Sequence, residues 1–172
     1  MRTPASLGAA VALLFGGGAV LLDQATKAIV TGRLGVGRSV PVAGDLFRIT
    51  HVRNPGGAFG LFREQGALYT VLSIAAVALL FWIVLRGRPR TLGARAAIGL
   101  VLGGALGNLI DRLRFHRVVD FLDVGVGDLR WPVFNLADVA VVAGVAIFLL
   151  VSMRSGDPFG GEGIDSGGDD LH

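Results

Sequence analysis

Asp138 stands near the head of an almost unbroken apolar run, FNLADVAVVAGVAIFLLV, from Phe134 to Val151. A carboxylate in such a stretch is expensive, and an ionisable residue inside a membrane span is by default a site residue. Two aspartates that share a proton can activate water directly. The ionised one takes a proton from water, and the neutral one donates to the carbonyl oxygen of the bond under attack. That chemistry calls for no metal, no cofactor and no covalent intermediate. Asp138 therefore needs a partner, and Asp111, Asp120, Asp123 and Asp128 precede it. Asp111 follows Asn108 by three and precedes Arg112, which suits local pairing at a helix end. Asp120 lies in RVVDFL, flanked closely by apolar residues, as in a segment pressed against a membrane face with its carboxylate aimed inward.

Other chemistries are poorly served. No serine stands in a nucleophile elbow, and no H-E-x-x-H pair suggests zinc. His51 and His116 read as solvated loop residues, and His172 lies in the tail. There is no cysteine, which removes thiolate nucleophiles, thiolate metal sites and disulfides together. GVGD, Gly125 to Asp128, resembles the G-x-G-D of presenilin-like proteases, but there the motif lies within a span and here it lies in a glycine-rich connector.

The elements that must position these groups are apolar spans. The 172-residue chain is 52% hydrophobic and only 17% charged, against about 25% charged in soluble domains. Four runs approach the roughly 20 residues that cross a bilayer: about 6–28, 67–86, 94–112 and 134–153. The expected fold is an all-α membrane protein of four transmembrane helices in one domain, 1–154, with a small extracytoplasmic β-hairpin between helices one and two. Alternation around a Gly44-Asp45 turn signal places that hairpin. Residues 155–172, rich in Gly and Asp, read as a disordered tail. Gly103 and Gly107 form a small-xxx-small pair suited to helix packing. The arginines are scattered through connectors, so they suit anionic lipid headgroups and suggest no nucleic-acid partner.

Consecutive spans cross in opposite directions. Asp23 and Lys27 end span one; Tyr69, Thr70 and Ser73 begin span two; Asn108, Asp111 and Arg112 end span three; Asn135 and Asp138 begin span four. All of them converge on one face. The far halves of the spans carry no comparable groups, which counts against an ion pathway. What remains is a site at one interface, open to water from that face and to lipid from the side.

Five blocks in order, DQATK (Asp23 to Lys27), NPGGAFG (Asn54 to Gly60), GGALGNLIDR (Gly103 to Arg112), VVDF (Val118 to Phe121) and FNLAD (Phe134 to Asp138), resemble lipoprotein signal peptidase, signal peptidase II. The resemblance covers roughly Leu13 to Met153. It implies an aspartic endopeptidase of the bacterial inner membrane that cuts prolipoproteins just before a diacylglyceryl-modified cysteine, with Asp120 and Asp138 as the catalytic dyad. Asn54, Asn108, Arg112 and Asn135 would surround the dyad and hold the peptide backbone. Asp23, Lys27 and Asp111 would support it, and Gly56, Ala58, Phe59 and Gly104 are carried over as further site positions. Membrane lipids and cyclic peptide antibiotics of the globomycin type are implied partners. The family places both termini in the cytoplasm and the dyad on the outer face. The charge count runs the other way, with six basic residues on the side of the termini and ten on the other, where a positive-inside reading would put the cytoplasm. Two further readings stay open on the residues alone: a one-sided membrane enzyme acting on lipid headgroups, and a non-catalytic four-span binding protein.

Overall fold

The computed structural model of the protein describes residues 5–56, 66–87 and 91–155. Eight elements follow in order: α1 (Ala5–Arg33), β1 (Ser39–Ala43), β2 (Phe47–Asn54), α2 (Gly66–Gly87), α3 (Leu92–Phe115), β3 (Val118–Val126), β4 (Leu129–Arg130) and α4 (Leu136–Ser155). Among the described residues three helices are long and apolar enough to cross a membrane, over Leu7–Arg33, Leu92–Phe115 and Leu136–Arg154; the apolar stretch of α2 is shorter, Ala67–Trp82. Large apolar side chains point outward, among them Leu13, Leu14, Leu21 and Val142. That is the arrangement a lipid solvent requires rather than water.

Helix α3 is the hub, packed against α1, α4 and α2. Its buried face is built from Ala94, Ala97, Gly99, Gly103, Gly104, Gly107, Leu109 and Asp111. In lipid no hydrophobic force draws helices together, so close backbone approach supplies the packing energy. A Cβ at Gly103 would lie 2.4 Å from the Gly16 carbonyl oxygen of α1, and one at Gly104 2.3 Å from the Ala137 carbonyl oxygen of α4. The helix is capped at both ends. The Thr91 hydroxyl accepts from the Ala94 N–H at 3.1 Å, and His116 closes the other end in the left-handed region at φ 53°.

The sheet is larger than the expected hairpin. The hairpin forms, with Gly44 at φ 54° in its turn, but it is half of a four-stranded antiparallel sheet in the order β1-β2-β3-β4. Strand β2 pairs with β3 from Phe47↔Val124 to Asn54↔Val118, with an irregularity between Ile49 and Val52. The RVVDFL segment is therefore an interior strand, not only a stretch pressed on a surface. Its partner is more than sixty residues away, too far for a local pattern to reveal. His51 is also corrected: it is 2% exposed, with Nδ1 2.7 Å from the Leu34 carbonyl oxygen. It ties β2 to the end of α1, which is why an imidazole sits inside. His116 is exposed.

Candidate active site

The start of α4 sets the site. Asn135 is its N-cap and Asp138 its third residue. The Asn135 Oδ1 accepts from the Asp138 N–H at 3.0 Å, while Asp138 Oδ2 accepts from the Asn135 N–H at 3.2 Å. This reciprocal capping box satisfies two helix-end donors. It also orients the Asn135 amide. With Oδ1 committed to the helix, Nδ2 must face away, and it donates to Asp120 Oδ1 at 2.7 Å. One asparagine thus holds both carboxylates.

Two more amides are oriented the same way. Asn54, the last residue of β2, accepts the Gly56 N–H on Oδ1 at 2.9 Å, so its Nδ2 donates to Asp120 Oδ2 at 2.9 Å. Gly56 makes that turn at φ 115°, where a Cβ would strike the Tyr69 ring at 2.2 Å. Asn108 on α3 accepts on Oδ1 from Lys27 Nζ at 3.1 Å and from Asn135 Nδ2 at 3.0 Å. Its Nδ2 is left to donate to Asp138 Oδ1 at 2.8 Å. Each of the four carboxylate oxygens therefore carries one of these amide donors. An ionised carboxylate offers about four acceptor positions, so each oxygen keeps room for a water or a proton.

Beneath the pair lies a buried charge cluster. Lys27 Nζ reaches Asp23 at 2.8 Å and Asp111 at 2.9 Å, in addition to Asn108. Its three N–H bonds are thus all used. Asp23 Oδ1 accepts from the Ala137 N–H at 3.0 Å, pinning the first turn of α4. Asp111 accepts from the Val119 N–H of β3 at 3.0 Å. The expected local pairing of Asp111 gives way to contacts with α1 and β3, because the sheet and α1 supply better-placed donors. Gln24, unassigned by the sequence reading, joins in: its Nε2 donates to Asp111 at 3.0 Å and to the Gly107 carbonyl at 3.1 Å. An amide within an apolar span was the available signal.

Asp120 is 3% exposed. Its pKa is raised to about 6, first by burial and then by the nearby Asp138 charge, while the Asn54 and Asn135 bonds act in the opposite sense. Arg112 is half-buried, and its guanidinium acts electrostatically on Asp120 and Asp138. An apolar groove of about 440 Å³ is lined by Asp138, Val139, Val142 and Ala146 of α4 together with Trp131 and Phe134.

The other aspartates stand apart. Asp123 pairs with Arg130 at 2.6 Å on the sheet, and Asp128, of the G-x-G-D alternative, is exposed in the β3–β4 turn. Ala58, Phe59 and the tail from residue 156 lie outside the described residues.

Three helices apolar and long enough to cross a membrane, with two carboxylates held by a shared asparagine at one end, define the class as a membrane protein with a polar site at the end of its bundle. A family model for signal peptidase (SPase) II matches residues 11–154. The chain is 43% identical to the lipoprotein signal peptidase of Syntrophus aciditrophicus over 148 residues, covering 82% of this chain and 90% of that one. It is 45% identical over 128 residues to the lipoprotein signal peptidase of Moorella thermoacetica, covering 73% and 81%. A solved structure described as a bacterial membrane enzyme superposes with a TM-score of 0.74 at 28% identity, covering 90% of this chain and 92% of that one. The chain belongs to the signal peptidase II family, and it is a membrane-spanning peptidase.

Proposed function

We propose that this protein removes the signal peptide from diacylglyceryl-modified prolipoproteins, cutting just before the lipidated cysteine, as an aspartic endopeptidase of the bacterial cell membrane. The observation that carries the reading is the pair Asp120 and Asp138, held by one asparagine at the head of a lipid-facing groove. Asp138 takes a proton from water as the water oxygen bonds to the scissile carbonyl carbon. Asp120 gives its proton to the carbonyl oxygen. The proton on Asp138 then passes to the leaving nitrogen, the C–N bond breaks, and the hydroxyl proton returns to Asp120. Arg112, Asn54 and Asn108 line the approach and position the peptide backbone. Helix α2, at 22 residues or about 33 Å, is long enough to serve as the fourth span, which puts both termini on the side away from the site.

The test is cleavage of a lipidated prolipoprotein by purified enzyme in detergent. Asp120→Asn and Asp138→Asn should each lower the rate by about 10²- to 10⁴-fold, the usual worth of a positioned acid or base, in protein that still inserts. Asp128→Asn should keep most activity. An inactive Asp128→Asn beside an active Asp120→Asn would reassign the dyad, and an intact prolipoprotein with the unaltered enzyme would leave a headgroup enzyme or a binding protein as the better description.

A further inference from the structure

The chain has three asparagines, Asn54, Asn108 and Asn135, and all three bond the carboxylate pair. They are not held equally. The Asn135 oxygen is fixed by the first turn of α4. The Asn108 oxygen accepts from both Lys27 and Asn135. Among the described residues the Asn54 oxygen takes its bond from the Gly56 N–H alone, at 2.9 Å. A reversed Asn54 amide would set its oxygen against Asp120 Oδ2, acceptor against acceptor. The donor to Asp120 therefore depends on where one glycine N–H points. Glycine has the widest backbone freedom of any residue, so the turn needs an outside support.

Tyr69 supplies it. Gly56 is buried at φ 115°, and the three atoms nearest to its Cβ position all belong to the Tyr69 ring: Cδ2 at 2.2 Å, Cγ at 2.4 Å and Cε2 at 2.7 Å. The ring stands where a side chain on residue 56 would stand. Tyr69 lies in the first turn of α2 (Gly66–Gly87), which packs on α3, the helix that carries Asn108 and Arg112. Its phenol is within electrostatic range of Arg112, so the ring is directed toward the site. A ring is a stiff wedge of large contact area, suited to holding a flexible turn closed.

We propose that Tyr69 is a positioning residue whose ring closes the Gly56 turn and so aims the Asn54 amide at Asp120. This rests on the dyad reading and deepens it by tying α2 to the orientation of one carboxylate. The ring carries the effect, not the hydroxyl. Without the ring the Gly56 N–H is free to turn away, the Asn54 amide rotates, and Asp120 loses a donor that favours its ionised form. The charged groups that act on Asp120, which are Asp138 of α4, Arg112 of α3 and Lys27 of α1, stay in place. Asp120 then keeps its proton to higher pH.

The three asparagines make a direct test possible. The full chain in detergent micelles, labelled with ¹⁵N in its asparagine side chains, gives three amide signals, each assigned by its loss in an Asn→Ser variant. Tyr69→Ala should shift the Asn54 signal and leave the Asn108 signal in place. It should also raise the pH midpoint seen at Asn135, which donates to Asp120. Exchange of the Asn54 amide should speed up, and kcat/KM for a lipidated prolipoprotein should fall, each by about 10-fold, the worth of one hydrogen bond to a charged group. Tyr69→Phe should match the unaltered chain in every readout. An unchanged Asn54 signal in Tyr69→Ala would overturn the proposal even if cleavage falls. So would an equal disturbance of all three signals, which would mean general packing, and so would a Tyr69→Phe variant as impaired as Tyr69→Ala, which would give the role to the hydroxyl. Absence of cleavage by the unaltered chain, with the expected amide shifts, would overturn the peptidase reading and leave the positioning standing.

Discussion

Among the described residues, every side-chain amide that bonds the carboxylate pair has its acceptor end occupied elsewhere. Asn135 spends its oxygen on the α4 cap, Asn54 on Gly56 and Asn108 on Lys27. None can flip without breaking that bond, so the donors are preorganised toward the place where charge changes. A pH dependence follows at Asp120. Burial, helped by the Asp138 charge, raises its pKa to about 6. In the proposed role of donor to the carbonyl oxygen it must be protonated, and an acid is protonated below its pKa. The kcat/KM, which reports the free enzyme, should therefore fall as pH rises through about 6. Substrate that dries the site further moves the corresponding limb of kcat upward. Cleavage rates across that range decide it, and a kcat/KM that climbs through about 6 would make Asp120 the base and exchange the two roles. Asp138 was legible because a carboxylate in an apolar run needs a reason. The direction of each amide was not, since it depends on a third residue brought from another element.

At the scale of elements, glycine sets the distance between helices. Gly104 faces the Ala137 carbonyl, where a Cβ would lie at 2.3 Å with Val141 Cγ2 at 2.8 Å. Gly104→Val must push α4 away from α3, and the Asn108–Asp138 and Asn108–Asn135 bonds cross that same gap. A lower melting temperature in detergent and a loss of activity on the order of 10²-fold are expected, since misplacement by about 1 Å can have that effect. Gly17 on α1 has nothing within 4 Å of its Cβ position. Gly17→Ala should be neutral or stabilise by up to about 1 kcal/mol through helix propensity. Equal melting temperatures and rates for the two variants would refute the spacing role. The small-residue pattern on α3 was readable from spacing. That Gly103 meets α1 while Gly104 meets α4 was not, because adjacent residues on a helix face different neighbours.

For the whole molecule the site lies at the boundary between bundle and sheet, and its groove opens to the side rather than enclosing a peptide. A substrate held in the bilayer by acyl chains, at about 0.8 kcal/mol per buried CH₂, arrives at a set depth and searches laterally. The diacylglyceryl group should therefore be required. One prolipoprotein compared with and without it, at matched concentration in the same detergent, should show a large drop in kcat/KM for the unlipidated form. Equal values would mean that lipid is not read and that a more general membrane aspartic peptidase is the better description.

Composition and order along the chain were enough for the membrane-spanning class, the gathering of polar residues at one end and the family, because apolar runs and motif blocks are local properties. The tertiary structure decided the rest. Strand β3 finds β2 across an intervening pair of helices, and only that pairing brings Asn54 to Asp120. Lys27 looked like one end of a helix and is the centre of a cluster joining α1 and α3. His51 looked solvated and is buried. In each case the deciding partner comes from another element, so no window of neighbouring residues contains it.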